Sequence, residues 1–201
     1  MEAITTQQVG RYTVRTHYDD DPESPRDWDN LGTLSGSARG TIFDEAPEAS
    51  AAAAYLAARS AHGPILALPV YVHSQAYTIV QETGDWGYAD GIYFVPLAKV
   101  AEEYPGTFAE QVTSARHTLR AELKNFNAYL AGEVYGYTVT GPEGLVDSCW
   151  DFIGDEEYAL SEGLSVAEEY TREYEALPEW VRRHWAILDE PALVSEHEAG
   201  A

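Results

Sequence analysis

The hydrophobic pattern predicts strands and helices in an irregular order. Residues 9–18 alternate, with Tyr12, Val14 and Thr16 on one side and Arg11, Thr13, Arg15 and His17 on the other, the period of a single strand. The acidic, proline-containing stretch from Asp19 to Pro25 ends it as a loop. Residues 31–34 form a short extended piece, and the small residues at 35–40 predict a mobile turn. An Ala-rich helix is expected over 47–61, with Pro47 in its first turn and Gly63-Pro64 closing it. Three apolar runs at 65–73, 77–82 and 91–95 predict central strands, the last two joined through Gly84-Asp85-Trp86-Gly87.

The clearest signal starts at Thr107. Thr107 and Glu110 have the spacing of a capping box, and Phe108, Val112, Ala115, Leu119, Leu123, Phe126 and Leu130 recur every three or four residues as one buried stripe. Gly132 is the stop. Residues 133–140 and 145–152 read as a hairpin turned by Gly141-Pro142-Glu143-Gly144, with Tyr135 and Tyr137 facing one way. A last helix is expected from Ser165, capped by Ser165 and Glu168 and ended by Pro178, with Trp180, Val181 and Trp185 packing a short helix back on the core. A frayed polar tail follows from Ser195. No βαβ repeat is present. The pattern predicts an α+β fold, a mostly antiparallel sheet packed against one long amphipathic helix, as a single domain over 1–201 with an acidic helical extension at 155–201.

Charge changes this picture. Across 201 residues, 34 Asp and Glu oppose 12 Lys and Arg, a formal net charge of −22. Residues 151–201 alone hold 14 acidic and 3 basic side chains. The 5 Trp, 14 Tyr and 5 Phe exclude an aromatic-poor disordered tail, so the charge belongs to the surface of a folded protein. Such a surface repels nucleic acid and favours basic partners. With no basic start, apolar leader or membrane-length apolar run, the chain is expected to be soluble and cytoplasmic, with no membrane partner. The lone Cys149 excludes a disulfide framework, and its apolar setting predicts a buried thiol.

Candidate chemistry is sparse. Asp19, Asp21, Asp27 and Asp29, with Asp20 and Glu23, offer the carboxylate oxygens that a divalent cation takes, but the EF-hand spacing fails because Ala38 stands where a bidentate Glu is required. The six histidines are scattered, and His73-Ser74 lacks the glycines of a nucleophile elbow. Asp90, Glu122 and Lys124 have the residue types of a metal-dependent nuclease, yet Glu122 and Lys124 diverge on a predicted helix. No cofactor is expected.

Three segments are more specific. Residues 23–33 (Glu-Ser-Pro-Arg-Asp-Trp-Asp-Asn-Leu-Gly-Thr), residues 129–137 with Val134-Tyr135-Gly136-Tyr137, and residues 146–154 resemble a family of small uncharacterised acidic proteins carried by tailed phages and other mobile elements. The resemblance implies a genomic setting and no particular reaction. Relatives carry a stretch bearing Cys, His and Arg after Asn-Leu-Gly-Thr, whereas this chain has mostly small residues from Leu34 to Thr41.

The expected function is a non-enzymatic acidic protein that binds a basic DNA- or RNA-binding protein of the host, in the manner of a DNA-mimicking anti-restriction or anti-CRISPR inhibitor. The carboxylates expected to carry the contact are Asp155, Glu156, Glu157, Glu162, Glu168, Glu169, Glu173 and Glu175. The rival readings are a cation-binding module or metal-assisted enzyme using the loop from Asp19 to Asn30, and a salt-adapted protein whose charge confers only solubility. Tyr135, Tyr137, Trp150 and Phe152 would serve either a core or a homodimer interface.

Overall fold

The computed structural model describes residues 2–37, 43–44, 48–73, 78–81 and 89–183, with residues 73 and 78–81 described by their backbone alone. The fold is α+β, and all strand pairs are antiparallel among the described residues. The chain divides into two compact units, one formed by Met1–Asp20 with Val134–Ala201 and the other by Asp21–Glu133.

The first unit is a four-stranded sheet in the order β1-β2-β7-β8, from Thr6–Val9, Tyr12–Tyr18, Val134–Gly141 and Gly144–Ile153. The alternation read as one strand is broken at Gly10, so β1 and β2 form a hairpin. Tyr12, Val14 and Thr16 are buried as the pattern requires. His17, on the opposite face, is buried too, with Nε2 3.0 Å from Thr138 Oγ1.

Between β7 and β8, Tyr135 pairs with Phe152 but Tyr137 with Cys149, which leaves Trp150 and Asp151 opposite Gly136. This bulge places Asp151 in the left-handed region at φ 66°, and Trp150 lies so close over Gly136 that a Cβ there would meet the indole at 2.1 Å. The hairpin aromatics divide, with Tyr137 in the core and Phe152 packed against that core. Cys149 is exposed, contrary to the buried thiol expected: β8 stands at the end of the sheet order, with β7 as its partner strand.

Helix α4, Glu156–Ala176, crosses this sheet through Ala159, Gly163 and Ala167, all buried at four-residue spacing. It starts nine residues before the expected Ser165. Asp155 is the cap, accepting the Tyr158 N–H at 2.9 Å. Ser165 instead lies mid-helix and donates to the Ser161 carbonyl. Trp180 is 75% exposed and does not pack back on the core, while Trp185 and the tail from Ser195 lie outside the described residues.

The second unit has a sheet in the order β3-β6-β4-β5, from Thr33–Gly36, Gly91–Pro96, Ile65–His73 and Thr78–Gln81. The run at 77–82, read as a central strand, is therefore β5, at the end of that order. Ser35 and Gly36, expected in a mobile turn, are buried in β3; the rest of that turn and Pro47 lie largely outside the described residues.

Helices α1 (Ala51–His62), α2 (Leu97–Glu103) and α3 (Phe108–Leu130) complete the unit. Along β6, Tyr93 and Val95 join a core with Leu119, Leu123 and Phe126 of α3, whereas Ile92 and Phe94 join Ala51, Ala54 and Ala58 of α1. Burial on both faces explains why β6 reads as unbroken apolar sequence despite antiparallel pairing. At the start of α3, the Glu110 carboxylate accepts both the N–H and the hydroxyl of Thr107 at 2.8 Å. These bonds, the backbone one first, hold the Glu110 carboxyl below its ordinary range.

Candidate functional site

Helix α4 carries the carboxylates expected to meet a partner, but they do different work. Asp155 is spent as the N-cap. Glu156 is half-buried and accepts the hydroxyls of Thr5 and Thr16, each at 2.7 Å, tying the first turn to β2 and the segment before β1. Glu162 is half-buried as well. Glu157, Glu168, Glu169, Glu173 and Glu175 are exposed.

At 100° per residue, Glu157, Glu168 and Glu175 fall along one edge of the solvent face and Glu162, Glu169 and Glu173 along the other. The first edge has spacings of eleven and seven residues, rises of about 16 and 10 Å, and the second seven and four, about 10 and 6 Å, so each edge is a ladder of negative charge. Arg172, exposed between the two, is the only basic residue of the helix.

Where α4 ends, it closes over a groove of about 320 Å³. Arg11 and Tyr12 enter from the β1–β2 hairpin, Gly141, Pro142, Glu143 and Val146 from the β7–β8 turn, and Tyr170, Glu173, Tyr174 and Leu177 from the helix. The Tyr12 and Tyr170 rings are 5.7 Å apart, and the Arg11 guanidinium sits 4.2 Å from the centre of the Tyr174 ring. Burial raises the Tyr12 hydroxyl above its ordinary value; Arg11 opposes this, and Glu143, Tyr170 and Glu173 add to it. Two carboxylates, Glu143 and Glu173, thus share the groove with the Arg11 guanidinium.

On the other face of the same sheet, Arg15, His17, Thr138, Thr140, Leu145 and Trp150 line a shallower hollow of about 360 Å³. Its polar groups are engaged with each other, Arg15 donating to Thr140 Oγ1 at 3.0 Å and His17 lying against Thr138.

In the second unit, the specific segment at 23–33 is a built loop. Ser24 Oγ accepts the Arg26 N–H, and Asn30 donates to the Pro25 carbonyl at 2.7 Å. Arg26 pairs with Asp44 and donates to Tyr93 at 3.0 Å and to the Gly32 carbonyl. Glu122 of α3 accepts the N–H groups of Leu31 and Gly32 at 2.7 and 3.2 Å and the Tyr93 hydroxyl. Burial opposes the Arg26 charge, but the hydrogen bond to Asp44 and the contact with Tyr93 outweigh it and raise its pKa. Burial first, and then Glu122, push Tyr93 far above the ordinary phenol value.

The nuclease-like trio is thereby dismantled. Glu122 serves that loop, Asp90 accepts the Val72 N–H at 2.9 Å, and Lys124 is exposed. Of the expected cation ligands, Asp19 belongs to the first unit and Asp21, Asp27 and Asp29 to the second. Asp19 accepts the Asp151 N–H, Asp27 closes the 3-10 turn Pro25–Asp27, and Asp21 and Asp29 are exposed. Among the described residues, no three His, Cys, Asp or Glu side chains are grouped to hold a metal ion. The side chain of His73 and the whole of Ser74, His184 and His197 lie outside the described residues. Among those described, no helix is long and apolar enough to cross a membrane. No family model, no curated protein and no solved structure matches the chain.

Proposed function

We propose that this chain is a non-enzymatic acidic binding protein whose partner is a basic, nucleic-acid-binding protein, and that it acts as a phage-type, DNA-mimicking inhibitor of host defence. The observation that carries the reading is the solvent face of α4, where Glu157, Glu168, Glu169, Glu173 and Glu175 stand in two ladders on a helix anchored to a sheet. A rigid array of like charge gains association rate and specificity for a surface built to meet phosphates. Asp155 and Glu156 support that array from within the fold. The resemblance to proteins of mobile elements agrees with an inhibitor's role.

The test is capture of the tagged chain's partner from a bacterial lysate at low salt, followed by competition with duplex DNA. Release of a DNA-binding protein by DNA, and by a salt step, is the expected result. The triple variant Glu168→Lys, Glu169→Lys, Glu175→Lys should lose capture while keeping its circular dichroism spectrum. A partner that holds on in the presence of DNA, or that binds the triple variant equally well, would sink the mimicry reading.

A further inference from the structure

The groove at the end of α4 has a narrower chemistry than the acidic ladders. Its lining brings three tyrosines, Tyr12, Tyr170 and Tyr174, together with two carboxylates, Glu143 and Glu173. One guanidinium is already on an aromatic face there, Arg11 over Tyr174 at 4.2 Å, well inside the range in which a cation is attracted to a ring. The helix also presents its negative end at this point, and the last turn of α4 contains Glu173 and Glu175 and no basic residue. Acidic side chains at a helix C-terminus oppose the helix dipole, and a bound cation relieves that opposition. Glu143 and Glu173 both act on the Tyr12 hydroxyl, adding to its burial against the larger opposing effect of Arg11.

We infer that this groove is an arginine anchor, taking the guanidinium side chain of a basic polypeptide partner against its tyrosine rings, with Glu143 and Glu173 facing the cation. The inference rests on the reading of the chain as a binder of basic proteins and names where one partner side chain seats. Arginine is favoured over lysine because its planar, weakly hydrated cation stacks on aromatic faces and a compact ammonium does not. A volume of about 320 Å³ stands at the small end of ligand sites, suited to a side chain and not to a folded segment.

The test is a nuclear magnetic resonance titration of the full chain, following the amides of Gly141, Glu173 and Leu177. The probes are a neutral peptide bearing one arginine and its lysine and citrulline counterparts. Saturable shifts are expected from the arginine peptide, with affinity at least tenfold lower for lysine and no binding of citrulline. Glu143→Gln with Glu173→Gln should weaken the arginine peptide at least tenfold. Arg11→Ala should strengthen it severalfold, because the resident guanidinium no longer competes for Tyr174, whereas Arg15→Ala, an equal change of charge, should leave it unchanged.

Absence of saturable shifts, equal binding of citrulline, or weaker binding to Arg11→Ala would overturn the inference. So would shifts at the same amides that depend on protein concentration alone, which would assign the groove to a second copy. Capture of a basic protein without arginine-peptide binding removes the groove and leaves the functional reading; arginine-peptide binding without any captured partner does the reverse.

Discussion

The carboxylate of Glu122 accepts the backbone N–H of Leu31 at 2.7 Å across 91 positions of sequence. Gly32 and the Tyr93 hydroxyl share the same acceptor, so one side chain of α3 holds the loop at 30–32 and the middle of β6. Hydrogen bonds to a charged group are the stronger kind, and a buried donor left without its acceptor bears the full cost of desolvation. Glu122→Ala is therefore expected to destabilise the second unit by about 3 kcal/mol, and Glu122→Gln, which keeps one acceptor oxygen, by about 1 kcal/mol. Urea unfolding followed by tryptophan fluorescence measures both; equal losses would show that packing and not the acceptor matters.

Tyr93 gives the same cluster a dependence on alkaline pH. Burial and Glu122 place its folded pKa above the ordinary value of 10.0. The stabilising contribution is thus complete below that value and is lost as pH rises above it, when the unfolded chain releases the proton and the folded chain does not. The slope expected is about 1.4 kcal/mol per pH unit. Tyr93→Phe should be less stable at neutral pH, because Glu122 and Arg26 lose a partner, yet flatter above about pH 10. Parallel profiles for the two proteins would refute the assignment.

Gly163 sets two effects against each other. Alanine would gain about 1 kcal/mol of helix propensity. Its Cβ, however, would lie 2.8 Å from Val14 Cγ1 and 3.0 Å from the Tyr137 ring, both in buried residues of the sheet below. Overpacking of this kind costs about 1–3 kcal/mol, so Gly163→Ala is expected to lower the melting temperature despite the better helix former. Gly163→Leu should abolish folding of the first unit. A rise in melting temperature for the alanine variant would mean that α4 can lift from the sheet.

That glycine also explains what the sequence concealed. The start of α4 reads nine residues late, although 155–201 is expected to be helical, because Gly163 lowers local propensity and only the close approach to Val14 and Tyr137 gives a reason for it. Helix α3 was legible because its capping residues and its stripe are local, although Phe108, the first member of the stripe, is exposed. The division into two sheets was not legible, since β2 finds its partner β7 only beyond an intervening unit of more than a hundred residues. The acidic helix was visible from composition, but the internal roles of Asp155 and Glu156 were not. The groove was invisible because Arg11, Glu143 and Tyr174 share no local motif and meet only through the two hairpins and the end of α4.

The charge of α4 itself is open to measurement in the absence of any partner. Glu169 and Glu173 are exposed, four residues apart on one edge of the helix, a spacing at which like charges cost about 0.2–0.5 kcal/mol. Replacing Glu173 by Lys turns that repulsion into attraction in the favoured order, Glu before Lys, and leaves Arg172 beside Glu169. Glu173→Lys should therefore stabilise the fold by about 0.5–1 kcal/mol at low salt, and the gain should fade as the screening length falls from about 30 Å at 0.01 M to about 3 Å at 1 M salt. Thermal melts of both proteins across that range also separate two explanations of the acidity. A salt-adapted fold would be clearly unstable below about molar salt, because screening is what holds its charges together. A binding protein should instead be folded at low salt and gain only modestly from screening. If it melts near its high-salt temperature in dilute buffer while Glu173→Lys is the more stable of the two, then Glu173 is kept against the interest of the fold, and the reason must lie in what the helix meets.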